Sequence, residues 1–229
     1  MIIPDGTLES LKWLALLLMT LDHANKFLFN GTSETAFGAG RVAMPLFVFI
    51  LAYNLARPGV LENGGYARAM RRLVVFGVSA MPALYILGGL KAAMRPLNIM
   101  FTLLVLTAML NLVECGSASN RAAAVFLFLA GGANVEFWWP PLVFGLAVWW
   151  YCKRSGFMSL LIALTALLAL RFVNGNLCAL AVVPVVLSAS LVDLHLPRVR
   201  WAFYLYYPVH LFALCLVRIP MAKAGYLFF

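Results

Sequence analysis

LKWLALLLMTLDHANKFLF, residues 11–29, is long and apolar enough to cross a bilayer, yet Lys12 sits near one end and an adjacent Asp22 and His23 toward the other. A spanning helix needs about 20 largely apolar residues. An ionisable group at membrane depth is costly, so it faces a cavity and serves a purpose. The stretch therefore predicts a membrane helix with a polar site near one end. Lys12 and His23 are eleven positions apart. At about 100° per residue they share a face and are separated by roughly 16 Å along the axis.

The rest of the chain agrees with a membrane setting. Of its 229 residues, 64% are hydrophobic and 11% charged, and the mean hydropathy is +0.95. Soluble domains hold roughly 45–50% apolar and about 25% charged residues. The predicted fold class is all-α: a polytopic transmembrane bundle in one integral membrane domain over residues 1–229. Apolar runs near 10–29, 42–57, 72–90, 97–114, 121–133, 137–152, 156–172, 176–192 and 201–219 predict about nine helices, within a range of seven to ten. The fifth run is short and ends in GGAN, which leaves a half-helix or re-entrant piece open. The first run is preceded by Asp5, Glu9 and Lys12 and followed by DHANKF, so it is expected to stay as a signal anchor.

The formal charge of +9 is read through topology. Lys and Arg collect in cytoplasmic loops, and no basic stripe interleaved with aromatics points to nucleic acid. With the amino terminus in the cytoplasm, nine basic residues fall inside: Arg57, Arg68, Arg71, Arg72, Arg121, Lys153, Arg154, Arg198 and Arg200. Seven fall outside, and the bias is carried by RPGVLENGGYARAMRR, residues 57–72. Cys115, Cys152, Cys178 and Cys215 have neither disulfide-framework nor metal-ligand spacing, so free thiols and no metal site are expected.

That topology gathers Asp22, His23, Arg41, Asn98 and Glu136 at the outer ends of helices and in the outer loops. Asp22 precedes Lys26 by four, which predicts an ion pair along the first helix; alternatively it orients an imidazole from another helix, such as His210. His210 lies midway along the last apolar run. Pro208 just before it predicts a locally open helix. Plainer roles exist for several of these: Lys12 snorkelling to headgroups, Arg41 as a topology anchor, Glu136 as an interfacial loop residue.

Four pieces, KWLALLLMTLDH (12–23), GRVAMPLFVFILAYNLAR (40–57), LNIMF (97–101) and FYLYYPVHL (203–211), resemble the TraX family of conjugative-plasmid membrane proteins, in the family's order. The combination of LDH, RxxxPLF and YPxHL carries the resemblance; residues 102–200 match mainly in hydropathy. It implies a protein of the bacterial inner membrane whose partner is a pilin subunit. The implied activity is acetylation of the pilin amino terminus from acetyl-CoA. Asp22, His23, Arg41, Pro45, Asn54, Asn98 and His210 stand at the motif positions. The first helix also resembles broader membrane acyltransferases, in which a Lys or Arg precedes a His by the spacing of Lys12 and His23.

Together the residues and the resemblance assign His23, Asp22 and His210 to catalysis. Arg41, Asn98, Glu136 and Tyr206 are assigned to the substrate, and Lys12 to a phosphate of the donor. A base is required because an α-amine, with a pKa of about 8, is largely protonated at neutral pH, and histidine suits that task. The alternatives are head-to-tail cyclisation of pilin without CoA, a non-catalytic pilin chaperone, and an ion-coupled transporter.

Overall fold

The computed structural model describes residues 2–197, 199 and 201–228. Arg198 and Arg200, two of the basic residues counted for topology, lie outside the described residues. The described chain is helical: α1 (Asp5–Leu28), α2 (Glu34–Gly40), α3 (Ala43–Leu55), α4 (Gly65–Met94), α5 (Ile99–Cys115), α6 (Ala118–Gly132), α7 (Pro140–Lys153), α8 (Phe157–Ala169), α9 (Arg171–Asn174), α10 (Val182–Ala189) and α11 (Ala202–Lys223). A 3₁₀ turn, Cys178–Ala181, leads into α10. The all-α class read from the sequence is the class observed.

Each predicted run contains a helix, with shifted boundaries. The first starts at Asp5 and not near residue 10, because Pro4 sets the entry and Asp5 complements the helix dipole in the first turn. The third runs longer than its apolar core, and its backbone breaks helical geometry at Gly89, where φ is +73°. The eighth is only the 3₁₀ turn plus α10. The seven-residue α2 was not predicted. It is capped by Ser33, whose hydroxyl accepts from the Ala36 N–H.

Among the described residues four stretches are long and apolar enough to cross a membrane, Glu34–Leu55, Gly65–Met94, Phe157–Asn174 and Ala202–Lys223, and α1, expected from the sequence to span, is not one of them. The protein is a membrane protein. Exposed apolar residues such as Leu17, Leu90, Phe126, Phe172 and Leu216 stand on helices, as expected where the solvent is lipid.

Long-range contacts sort into two ends of the bundle. At the end where α1 begins, Asp5 pairs with Arg57 and Glu114 with Lys153. There Thr7 and Glu9, both buried, hold the segment before α11: Thr7 Oγ1 donates to the Val192 carbonyl and accepts from the Leu194 N–H, and Glu9 accepts from the Val199 N–H. At the opposite end Asn25 and Ser33 exchange hydrogen bonds, and Leu97 forms a short parallel bridge with Val135. In the core, α1 packs against α2, α3 and α11, while α4 packs against α5 and α11.

Candidate functional site

The site lies where α1, α2, α11 and the α6–α7 loop converge. His23 and His210 stand on α1 and α11 with parallel rings. Their planes are 6° apart, their centroids 5.0 Å, and His23 Nδ1 is 2.7 Å from His210 Nε2. The other nitrogen of His210, Nδ1, is 2.9 Å from the Tyr206 carbonyl oxygen. A carbonyl only accepts, so Nδ1 of His210 carries the hydrogen. With both rings neutral, His210 Nε2 is then an acceptor and His23 Nδ1 donates to it. That leaves the lone pair of His23 on Nε2, which has no hydrogen-bond partner among the described residues.

Tyr206 fixes the pair. Thr20 Oγ1 donates to the Leu16 carbonyl, so the Tyr206 hydroxyl, 2.8 Å away, donates to Thr20. The tyrosine ring stacks on His210 with centroids 5.3 Å apart. The expected opening at Pro208 is not present: α11 runs through it unbroken. The missing N–H is tolerated because the surrounding helices hold the segment.

The expected Asp22–Lys26 ion pair is replaced. Asp22 pairs with Arg41, at the end of α2, and it does not bond either histidine. The reason is proximity set by Gly40. A Cβ on Gly40 would lie 2.3 Å from the Asp22 Cβ, so only glycine lets α2 end against α1 here. Arg41 follows at once, its guanidinium over the Phe37 ring at 4.3 Å.

Glu136 is delivered by a strained loop. The Leu97 N–H donates to the Asn134 carbonyl, and the Glu136 N–H donates to the Leu97 carbonyl. Thr102 donates to the Glu136 carbonyl. With its backbone thus held, Glu136 is followed by Phe137 and Trp138 at φ of +65° and +58°. Two successive aromatic residues in the left-handed region cost roughly 1–3 kcal/mol each, and such strain clusters at functional sites. Burial pushes the Glu136 carboxyl above its usual range, with Lys26 and Arg41 pulling partly back.

Asp22, His23, Arg41, Glu136 and Phe137 border a pocket of about 40 Å³. His210 and Tyr206 stand behind it. Lys12 lies away from it, in a second cavity of about 520 Å³ that opens toward the α3–α4 loop. Its ammonium is 2.8 Å from Glu9 and lies over the Phe203 ring. Met19, Phe47 and Ile99 border both spaces, which therefore adjoin. Asn98 borders neither. It caps α5 by accepting from the Met100 N–H and donates to the Gly77 carbonyl, so its amide is engaged on both sides.

Sequence reasoning missed Gly40, Phe137, Thr20 and the trio common to both spaces. Only Gly40 left a signal, as the small residue directly before Arg41. All four cysteines are free, as their spacing predicts.

These features define a class: a helical membrane protein with a histidine pair beside a small charged pocket, and a larger basic cavity adjoining that pocket. Residues 7–218 match the family described as TraX protein, and the chain belongs to that family. It is 34% identical over 127 residues to Protein TraX of Escherichia coli, across 56% of this chain and 48% of that protein. To Protein TraX of Escherichia coli strain K12 it is 32% identical over the same length. The aligned part thus spans about half the length of these curated relatives. Identity is 26% over 239 residues to the probable fimbrial assembly protein FimC, serogroup H1, of Dichelobacter nodosus, covering 92% of this chain and 95% of that protein. No solved structure matches.

Proposed function

We propose that this protein is a membrane acyltransferase that acetylates the amino-terminal amine of a conjugative pilin, at the periplasmic face of the bacterial inner membrane. Family membership and a relative named for fimbrial assembly support a role in pilin processing. The single observation that carries the chemistry is the His23–His210 pair, which leaves one unbonded basic nitrogen on the ring that borders the small pocket.

The pilin amine enters the small pocket as an ammonium. Asp22 and Glu136 attract it, and Arg41 keeps Asp22 in place. The ammonium first releases one proton to water, and His23 Nε2 takes a second from the nitrogen as it attacks the acetyl carbonyl. As positive charge develops on His23, its Nδ1–H bond to His210 strengthens, because a charge-assisted hydrogen bond is about twice as strong as a neutral one. The Tyr206 carbonyl holds His210 in the accepting tautomer. When the nitrogen–carbon bond forms, His23 returns its proton to the leaving group, and an amide and a free thiol result.

Acetyl-CoA, the donor implied by the family resemblance, would supply an activated acetyl carbonyl. The larger cavity fits such a group: Lys12 borders it, no Asp or Glu does, and it adjoins the pocket that His23 borders. Entry from the cytoplasm places the start of α1 on that side.

The test is transfer of labelled acetyl from acetyl-CoA to signal-peptidase-processed pilin by the purified protein in lipid. Label on the pilin amino terminus with the normal protein, and none with His23→Ala, supports the reading. Unlabelled pilin with a properly folded normal protein contradicts it.

A further inference from the structure

Four cations border the larger cavity, although three of them read in the sequence only as topology charges. Lys12 comes from α1, Arg57 from the α3–α4 loop, and Arg68 and Arg72 from the first turns of α4. Arg68 and Arg72 are four residues apart and so share one face of α4. Like charges at this spacing repel when no anion stands between them. Lys12 and Arg57 have acidic partners in Glu9 and Asp5. Among the described residues neither Arg68 nor Arg72 forms an ion pair. Arg68 donates to the Asn63 carbonyl, and Arg72 lies over the Trp201 ring at 4.5 Å and the Tyr204 ring at 5.6 Å.

A plain topology anchor points to headgroups or water. Arg68 is exposed too, yet both side chains also line one end of a 520 Å³ space whose other end, at Met19 and Ile99, adjoins the pocket that His23 borders. Stacking on Trp201 and Tyr204 also pre-orients Arg72, whose planar guanidinium presents paired donors to phosphate oxygens. From Lys12 to Met19, one turn short of His23, the cavity wall follows α1 for roughly 10 Å.

We infer that this mouth is a binding site for a multiply charged organic phosphate, gripped by Arg68 and Arg72 with Lys12 and Arg57 beside them, whose slender arm lies along the cavity toward His23. The charge and shape argument stands without any reaction. Only the identity of the arm's far end as an acyl donor rests on the proposed function. Phosphates of this kind come from two sources, a soluble CoA-type nucleotide or an anionic lipid headgroup. The depth of the cavity and the number of cations favour the nucleotide.

The test measures binding, with no pilin present. The protein is placed in phosphatidylcholine nanodiscs and titrated with coenzyme A and with 3′-dephospho-coenzyme A, alongside Arg68→Gln and Arg68→Gln/Arg72→Gln variants. Gel filtration and thermal melting establish that each variant is folded, and Arg68, being exposed, is the safer change. The expected result is saturable coenzyme A binding that weakens with salt and with loss of the 3′-phosphate. Each arginine removed should weaken it about tenfold or more. A second arm uses nanodiscs containing phosphatidylglycerol, read by native mass spectrometry. If coenzyme A does not bind, but the lipid is retained by the normal protein and lost from the double variant, the phosphate site stands and its ligand comes from the bilayer. If folded variants bind both probes as the normal protein does, or nothing binds at all, the inference is overturned. Binding without acetyl transfer would leave this site standing and remove the proposed reaction.

Discussion

His23 and His210 divide one task unequally. His23 borders the pocket and holds the unbonded nitrogen, while His210 acts through it. Replacing His210 by Ala should therefore lower kcat with little change in KM for pilin. His210→Gln, whose amide oxygen still accepts from His23 Nδ1, should recover part of the loss. Steady-state kinetics on the two variants checks this, and equal losses in both would deny the positioning role. Glu136 offers a second residue-scale test. Its folded pKa is raised by burial, so at pH between the ordinary and the raised value the folded state holds a proton that the unfolded state has already released. Stability then falls as pH rises from the ordinary glutamate value of about 4.3 through the raised one. Glu136→Gln should melt higher than the normal protein at neutral pH, with the difference vanishing in acid; melting curves at several pH values decide it. Asp22, His23 and Arg41 were legible in the sequence because charge at membrane depth is conspicuous. Their pairing was not. A sequence displays the four-residue step from Asp22 to Lys26, whereas Arg41 reaches Asp22 only through a turn and a second helix.

At the scale of elements, α2 is the piece that apolar periodicity overlooked. Its seven residues, ETAFGAG, are too short and too polar at the start to register, and Ser33 rather than hydrophobicity sets its beginning. Its end at Gly40 brings Arg41 to the site. Gly40→Ala would place a methyl carbon 2.3 Å from Asp22 Cβ and 2.6 Å from its Cγ. Overpacking of this kind costs about 1–3 kcal/mol. The variant should lose thermal stability in detergent and should lose pilin modification more severely than its melting point alone implies. Unchanged melting and modification would show that α1 and α2 approach less closely in the membrane. The long helices were legible because each carries a sustained apolar run. The start of α4 was not, since polar residues such as Arg68 and Arg71 continue the helix before that run begins.

For the whole molecule, the central feature is two spaces meeting at one wall. Met19, Phe47 and Ile99 border both a basic cavity and a charged pocket, with His23 on the pocket side. Methionine is the most adaptable of the three, and Met19 lies one helical turn before His23 on α1. Met19→Ala should enlarge the passage and let the protein accept butanoyl or longer donors that the normal protein uses poorly. Comparing acetyl and butanoyl transfer rates reads this directly, and an unchanged ratio would place the size limit elsewhere. The sequence placed Lys12 and His23 on one face and gathered polar residues near His23, but it did not show the basic cavity, since Arg57, Arg68 and Arg72 served equally well as topology charges. Convergence of α1, α3, α4 and α11 is a tertiary fact. The measurement that bears most directly on the proposal is the intact mass of the cognate pilin, made in cells with the normal protein and with His23→Ala. The account predicts pilin heavier by one acetyl group with the normal protein and unmodified pilin with the variant. A pilin lighter by one water would make the reaction cyclisation, and an identical mass in both cells would contradict catalysis by this histidine.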